Sequence, residues 1–489
     1  MSLNPDYTIP LKNNIKYTYD YAYAKNAHRY TGNESEYDAI IFFNSLVKID
    51  PFGAFMALSR YSFTNTLKAL IKYGIPYTDD QERQARVYHE VVKDMEDTCS
   101  DVSIGYQSDI SNTKIVKVAD PHIYTTKDTM EVKDFIESLP RNKKTFNSIY
   151  EKNLPSGLTN SSEQLSALKN CLDNHISCLI GGAGTGKSYV TSNIVEQLLL
   201  NKKKVAILAP THKAKEALQS KLSRGNVQTI HSFVYNTNQN QQVDAIVIDE
   251  AGMLSTPLLS KLSTMYAGQQ LVFVGDKNQI PPIEYGRPFE RIQEIFPTVE
   301  LKDNRRSESK DIIALGREII GEPFNANIAQ NNIFQVETIE EAFNMGAEVL
   351  LTFMNDNVEK ANELQRIKNG EPSIYSRYSV GDKIIAKTTT HAYFNGQLFT
   401  IINWNQAKSK SGKVITFRTP YELEKNFNLA YGLTIHKSQG SEWDVVAYQP
   451  TEKDKKNLAY VAVTRAKRKL IIVGSFPNQF KEEKAWTHL

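Results

Sequence analysis

The sequence predicts an α/β chain of several domains, built on parallel sheets whose chemistry gathers along the C-terminal ends of the strands. Three observations lead there. Short apolar runs of strand length alternate with helical segments, each run ends in polar residues, and one run opens into a glycine-rich loop that leads directly into a helix. At 489 residues the chain is too long for a single core, and the usual domain size suggests about three units.

Composition narrows the class. Hydrophobic content of 40% and charged content of 23% are those of a folded globular protein rather than a disordered one. A net charge of +3 with a pI near 8.4 permits a polyanionic partner without demanding one. The three cysteines, Cys99, Cys171 and Cys178, lack metal-ligand spacing and read as reduced thiols in a cytoplasmic setting. The N-terminus has no basic-then-apolar signal pattern, and no run approaches the roughly eighteen apolar residues of a membrane span. A soluble cytoplasmic protein with no membrane partner is expected.

Residues 1–150 read as an accessory domain with no motif that carries chemistry. Tyr17, Tyr19, Tyr21 and Tyr23 alternate with the period of a strand and are flanked by Lys12, Lys16, Lys25 and Arg29. The aromatic face packs in its own domain on one reading and stacks single-stranded nucleic acid on the other. Phe63 to Tyr73 reads as a helix stopped by Gly74, and Gln81 to Met95 as a second. Pro140, Lys143, Lys144, Pro155 and Gly157 mark a polar, broken stretch read as a linker.

Beyond it the chain changes character. Ser161, Ser162, Glu163 and Gln164 precede the glycine loop by about one helix. The Gln164 amide can pair with an adenine edge, and the same residues equally make a helix cap. Cys178-Leu179-Ile180 then runs as a strand into Gly181-Gly182-Ala183-Gly184-Thr185-Gly186-Lys187-Ser188, and Tyr189 to Val195 continues as a helix. Here Gly182, Gly184, Thr185 and Gly186 turn backbone N–H groups toward a polyphosphate, Lys187 reaches the β- and γ-phosphates, and Ser188 holds Mg²⁺. The cofactors implied are ATP and Mg²⁺.

Three further strand runs follow. Lys204 to Leu208 ends in Ala209-Pro210-Thr211-His212, Ala245 to Ile248 ends in Asp249-Glu250, and Gln270 to Val274 ends in Gly275-Asp276-Lys277-Asn278-Gln279. Alone, Asp249-Glu250 reads as a solvated turn. Behind four apolar residues, and together with the glycine loop, it reads as catalytic: Asp249 completes the Mg²⁺ site with Ser188, and Glu250 orients and deprotonates the attacking water. Gln279 is then placed to hydrogen-bond the γ-phosphate or that water.

Nine stretches in order resemble the motif series of superfamily one helicases, in particular the RecD and Dda group that moves 5′ to 3′ on single-stranded DNA. They are Gln164, Gly181 to Ser188, Ala209 to His212, Thr229 to Ser232, Asp249-Glu250, Gly275 to Gln279, Leu301 to Arg306, Thr434 to Gly440 and Val461 to Ala466. The resemblance covers about residues 158–475 and implies two RecA-like lobes, 151–306 and 307–489. It assigns Arg306 and Arg465 to the γ-phosphate from across the cleft, with Arg305 as a neighbour able to replace Arg306. It gives the nucleic-acid backbone to Pro210, Thr211, His212, Thr229 and His231 in the first lobe, and to Thr434, His436 and Lys437 in the second. A monomer acting on single-stranded DNA and on single-strand/duplex junctions follows, with replication or recombination proteins as partners through the N-terminal domain.

In the second lobe Asp311 to Ile320 and Glu359 to Ile367 read as helices and Leu350 to Phe353 as a strand. Ile384 to Ala386, Leu398 to Ile402 and Val414 to Phe417, with a turn at Asn395-Gly396, read as a small β-barrel-like insertion over about 383–427. Lys408, Lys410 and Lys413 there face either DNA or solvent. One departure from the family stands out. Dda-type relatives split duplex with a hairpin, for which only the polar segment 233–243 is available here; Phe233 or Tyr235 is its candidate base-stacking residue. The expected activity is therefore a 5′ to 3′ ATP-dependent DNA helicase. The alternative is an ATP-driven switch that translocates or clamps without unwinding, or that acts on RNA.

Overall fold

The computed structural model describes residues 52, 63–73, 75–98, 103–104, 115–119, 123–145, 147–235, 243–303, 310–322, 331–368 and 378–477. The alternating tyrosines at 17–23, the pair Arg305 and Arg306, and positions 236–242 of the pin segment lie outside them.

The described N-terminal part comprises helices Phe63–Tyr73 and Asp79–Thr98 and a small antiparallel sheet. Its strands are β1 (Ser103–Ile104), β2 (Ile115–Ala119) and β3 (Ile123–Thr126), in the order β1-β3-β2. The second helix buries Val91 and Met95 against Tyr285, which lies far along the chain. Thr126 then caps helix Lys127–Ser138, its Oγ1 accepting the Thr129 N–H at 3.2 Å. That helix buries Val132 and Ile136, and its C-cap Leu139, in the same core as Leu258, Leu259 and Leu262. Residues after it stay attached: Asn147 is buried and donates to the Leu172 carbonyl at 2.8 Å. The stretch read as a linker is thus packed onto the next domain, and no break in packing falls at residue 150.

The first lobe is a six-stranded, all-parallel sheet. Its strands are β4 (Ile176–Gly181), β5 (Val205–Ala209), β6 (Val227–Thr229), β7 (Ala245–Ile248), β8 (Gln270–Gly275) and β9 (Thr298–Leu301), in the order β6-β5-β7-β8-β4-β9. Every residue of β4, β7 and β8 is buried, as expected for strands covered by helices on both faces. The edge strands β6 and β9 escape a sequence reading because they are short and carry half-exposed Gln228 and Glu300. Phe233 ends in the hydrophobic core below this sheet, so the base-stacking role expected for it is corrected: its ring has no free face.

The second lobe begins with helix Lys310–Ile319 and forms a second all-parallel sheet. Its strands are β10 (Ile333–Val336) and β11 (Val349–Thr352), then, after an insertion holding β12 to β16, β17 (Gly432–Thr434), β18 (Trp443–Gln449) and β19 (Ala466–Val473). Their order is β10-β19-β18-β11-β17. The insertion is an antiparallel sheet of β12 (Lys383–Ala386), β13 (Leu398–Asn403), β14 (Gln406–Ser409), β15 (Val414–Thr416) and β16 (Phe427–Leu429). Among the described residues its pairings run as an open series from β15 to β16. It has its own core, with the Phe427 ring 4.8 Å from Tyr393 and 5.3 Å from Phe417. It also leans on the first lobe, where Gln397 donates to Glu216 at 3.0 Å and Phe394 stacks on His212 at 5.4 Å.

Because Ile136 is 3% exposed within the first-lobe core, Ile136→Ala is expected to destabilise that lobe by about 2–4 kcal/mol. Denaturant unfolding checks it; an unchanged midpoint would mean that helix Lys127–Ser138 does not belong to that core.

Candidate active site

A parallel sheet delivers every strand's C-terminal end to one edge, and here that edge carries the candidate residues. The loop after β4 needs left-handed backbone at Gly184 (φ 79°) and Gly186 (φ 90°), where side chains are strained. Gly186 is the N-cap of helix Lys187–Leu200, so the loop amides and the helix N-terminus point at one place. Thr185 braces the loop by donating to the Gly182 carbonyl at 2.9 Å. The Lys187 ammonium donates to the Gly181 and Gly182 carbonyls at 2.6 and 2.9 Å and stands 3.8 Å from Asp276.

Gln164 makes two contacts with its surroundings. Its backbone N–H is capped by Ser161 at 3.3 Å, while its side-chain amide reaches the Thr185 carbonyl at 3.5 Å. Gln164 stands at N3, but its side chain turns to Thr185 and closes no capping box, and Glu163 at N2 does not reach back to the cap either. Glu163 accepts instead from the backbone of Lys302 at 2.7 Å. Cap and loop contact therefore coexist on one turn of helix.

The acidic pair follows β7. Asp249 is buried, and burial and then the neighbouring Glu250 carboxylate push its pKa up to about 7, against the pull of Lys187 and Lys221. Glu250 sits in the left-handed region at φ 52°, a strained conformation for a residue with a side chain and one that concentrates at functional sites. Lys221, unforeseen in the sequence, donates to the Ser188 hydroxyl at 3.1 Å. Among the described residues no cluster of three or more His, Cys, Asp or Glu is arranged to hold a metal without help.

The opposite wall comes from the second lobe. Arg465 caps helix Lys456–Thr464 and is held by its own backbone surroundings, Nε donating to the Val461 carbonyl at 3.2 Å and Nη1 to Ser441 at 3.3 Å. It lines one cleft with Gly182, Gly184, Gly186, Lys187, Ser188, Asp249, Glu250 and Gln279. Lys213 spans the gap, donating to the Lys437 carbonyl at 2.7 Å. Burial, and then the nearby Arg465 guanidinium, push its pKa down to about 7. Tyr460, on the same helix as Arg465, touches the glycine loop itself. Nothing in the apolar run Leu458 to Val463 distinguishes this tyrosine from a core residue.

The remaining candidates lie beyond that lining, at strand ends of both sheets. Thr211 caps helix His212–Gln219, accepting the Ala214 N–H at 3.1 Å, and His212 is exposed beside Phe394. Pro210 and His231 are half-buried, while Thr229 is buried and accepts the Ser232 N–H at 3.1 Å. At the end of β17, Thr434 is half-buried and His436 and Lys437 are exposed. Although both residues keep an exposed edge, partial desolvation of the rings lowers the pKa of His212, with Lys215 adding to the effect, and of His436. Among the described residues no helix is long and apolar enough to cross a membrane.

Comparison with known proteins gives two family matches, an AAA domain over residues 159–331 and a UvrD-like helicase C-terminal domain over residues 429–473. The ATP-dependent RecD2 DNA helicase of Deinococcus radiodurans is 28% identical over 64% of this chain and 49% of its own. An uncharacterised protein of Methanocaldococcus jannaschii is 25% identical over 75% of this chain and 42% of its own. This chain thus spans less than half the length of these two relatives. A solved structure, Bacteroides Pif1 bound to single-stranded DNA, is similar at a TM-score of 0.48 and 19% identity, covering 66% of this chain and 94% of that one.

Asp249 has a folded pKa above the unfolded value of about 3.9. Its contribution to stability is therefore complete only below that value and is lost as pH rises through about 7. Asp249→Asn is expected to raise the melting temperature of the nucleotide-free protein more at pH 8 than at pH 5. An equal shift at both pH values would count against the buried, charge-crowded carboxylate.

Proposed function

We propose, from its motif series and its similarity to a RecD2 helicase, that this chain is a superfamily one, ATP-dependent DNA helicase that moves 5′ to 3′ on single-stranded DNA and unwinds duplex. The observation that carries the reading is the single cleft lined by the glycine loop and acidic pair of one lobe and by Arg465 of the other. A nucleotide bridging such a cleft draws the lobes together, and its hydrolysis lets them part.

Each residue has a task in that cycle. Loop amides and Lys187 bind the phosphates, Glu250 takes the proton of the attacking water, and Gln279 orients that water against the γ-phosphate. Arg465, joined by Arg306, neutralises charge developing on the transferring phosphoryl group. Ser188 and Asp249 fit a hard divalent cation, because both are oxygen donors lining one cleft, and the Lys221 ammonium that now donates to the Ser188 hydroxyl would give way to it. Too few carboxylates gather there for an all-protein cage, which suits Mg²⁺ shared between one or two side chains and the nucleotide. Bound there, Mg²⁺ supplies charge neutralisation across the phosphates.

The grip on DNA falls to Pro210, Thr211, His212, Thr229, His231, Thr434, His436 and the cationic Lys437, groups that hold the backbone without reading bases. As Thr211 and His212 ride on one lobe and Thr434 and His436 on the other, closing and opening advance the strand. A second reading, an ATP-driven clamp that does not unwind, draws on the insertion's contact with His212 and Glu216, which closes over the gripping edge.

A forked duplex with a single 5′ or 3′ tail separates these readings. ATP-dependent strand release from the 5′-tailed fork alone is expected; binding without release supports the clamp, and release from the 3′-tailed fork overturns the polarity. Lys187→Ala abolishes turnover. Arg465→Ala lowers kcat by roughly 10³ while ATP affinity changes little, as measured by steady-state hydrolysis and nucleotide titration.

A further inference from the structure

Tyr460 makes a contact between the lobes that the cleft's chemistry leaves unexplained. It sits on the helix that ends in Arg465, it is 2% exposed, and its hydroxyl is the point where three groups meet. The Ala183 N–H of the glycine loop donates to Tyr460 Oη at 3.0 Å, and Tyr460 Oη donates to Asp276 Oδ2 at 3.1 Å. The polarity of this bridge is fixed, because an amide can only donate and an ionised carboxylate can only accept. Burial, and then Asp276, raise the tyrosine pKa, which keeps the proton in place.

Asp276 is also the anion that competes for Lys187. Its Oδ2 lies 3.8 Å from the lysine ammonium, while Oδ1 is occupied by the Asn278 N–H at 3.0 Å. With Tyr460 donating to Oδ2, the hold of Asp276 on Lys187 is weakened to a long 3.8 Å contact, while the lysine's short hydrogen bonds go to the loop carbonyls. The ring has little freedom to drift. A Cβ on Gly316 would stand 3.4 Å from it, and a Cβ on Gly182 would stand 3.2 Å from the hydroxyl.

Resting on the ATP-hydrolysis reading above, we infer that Tyr460 is a positioning residue: its hydroxyl fastens the second lobe to the glycine loop, setting where Arg465 stands and keeping Asp276 from capturing Lys187. Tyr460 and Arg465 share one short helix, so a shift of the loop amide on nucleotide binding moves both.

The experiment is a double-mutant cycle on full-length protein with saturating single-stranded DNA. Tyr460→Phe keeps the ring and removes only the bridge. It is expected to lower kcat about tenfold with KM for ATP within about threefold, and to lower kcat less than about twofold in an Arg465→Ala background. A role in folding alone would shift the melting temperature and leave kcat and this non-additivity unmoved. Unchanged kcat in Tyr460→Phe, or a full tenfold loss retained on Arg465→Ala, overturns the inference while leaving the helicase reading intact. A wild type with no DNA-stimulated ATPase overturns that reading instead. If Tyr460→Phe does not fold, 4-fluorophenylalanine at position 460, which keeps the ring's size and removes only the donated proton, is held to the same kcat, KM and non-additivity criteria.

Discussion

Two parallel sheets whose strand-end loops line one cleft are the constraint on which the rest of this structure depends. In each, the strands end in loops on a single side, and the helix Lys456–Thr464 of the second lobe brings Tyr460 into hydrogen-bond contact with the loop after β4 of the first. The contact is short, buried and polar, so it tolerates little slippage. Charged groups of the two lobes are brought together by this closeness: Arg465 lines the cleft with Lys187, and Lys213 reaches the backbone of Lys437.

Such closeness works against stability. Asp249 is buried beside Glu250, Lys213 beside Arg465, and the Arg465 hydrogen bonds found here go to carbonyls rather than to a carboxylate. Like charges held together out of water destabilise the folded chain until a group of opposite charge lies between them. A polyphosphate with its metal has the right signs for both clusters, anionic oxygens for the cations and a cation for the carboxylates. The apolar strands β4, β7 and β8, buried along their whole length, supply the rigidity that holds these charges in place.

How far all this was legible in the sequence depended on the physics of each element. Strands buried on both faces are written as unbroken apolar runs, so β4, β5, β7 and β8 announce themselves. Edge strands β6 and β9, and β14 with its sequence Gln406-Ala407-Lys408-Ser409, are half-solvated and look like loops. The glycine loop and the acidic pair were legible because their spacing encodes a local geometry. Tyr460 was not, since its role comes from a residue 277 positions away and leaves no local trace. The docking of helix Lys127–Ser138 and the burial of Phe233 were hidden for the same reason: an amphipathic face does not say which core receives it.

The central claim is that nucleotide state sets the separation of the two lobes. Its most direct measurement is the distance between spin labels on cysteines introduced at Ala267 in the first lobe and Lys360 in the second, both exposed. With a non-hydrolysable ATP analogue and Mg²⁺, the distribution should narrow and move to shorter distance than with ADP, and the same addition to Lys187→Ala should leave it unmoved. A single distribution, unchanged between the empty, ADP and ATP-analogue states, would contradict the account.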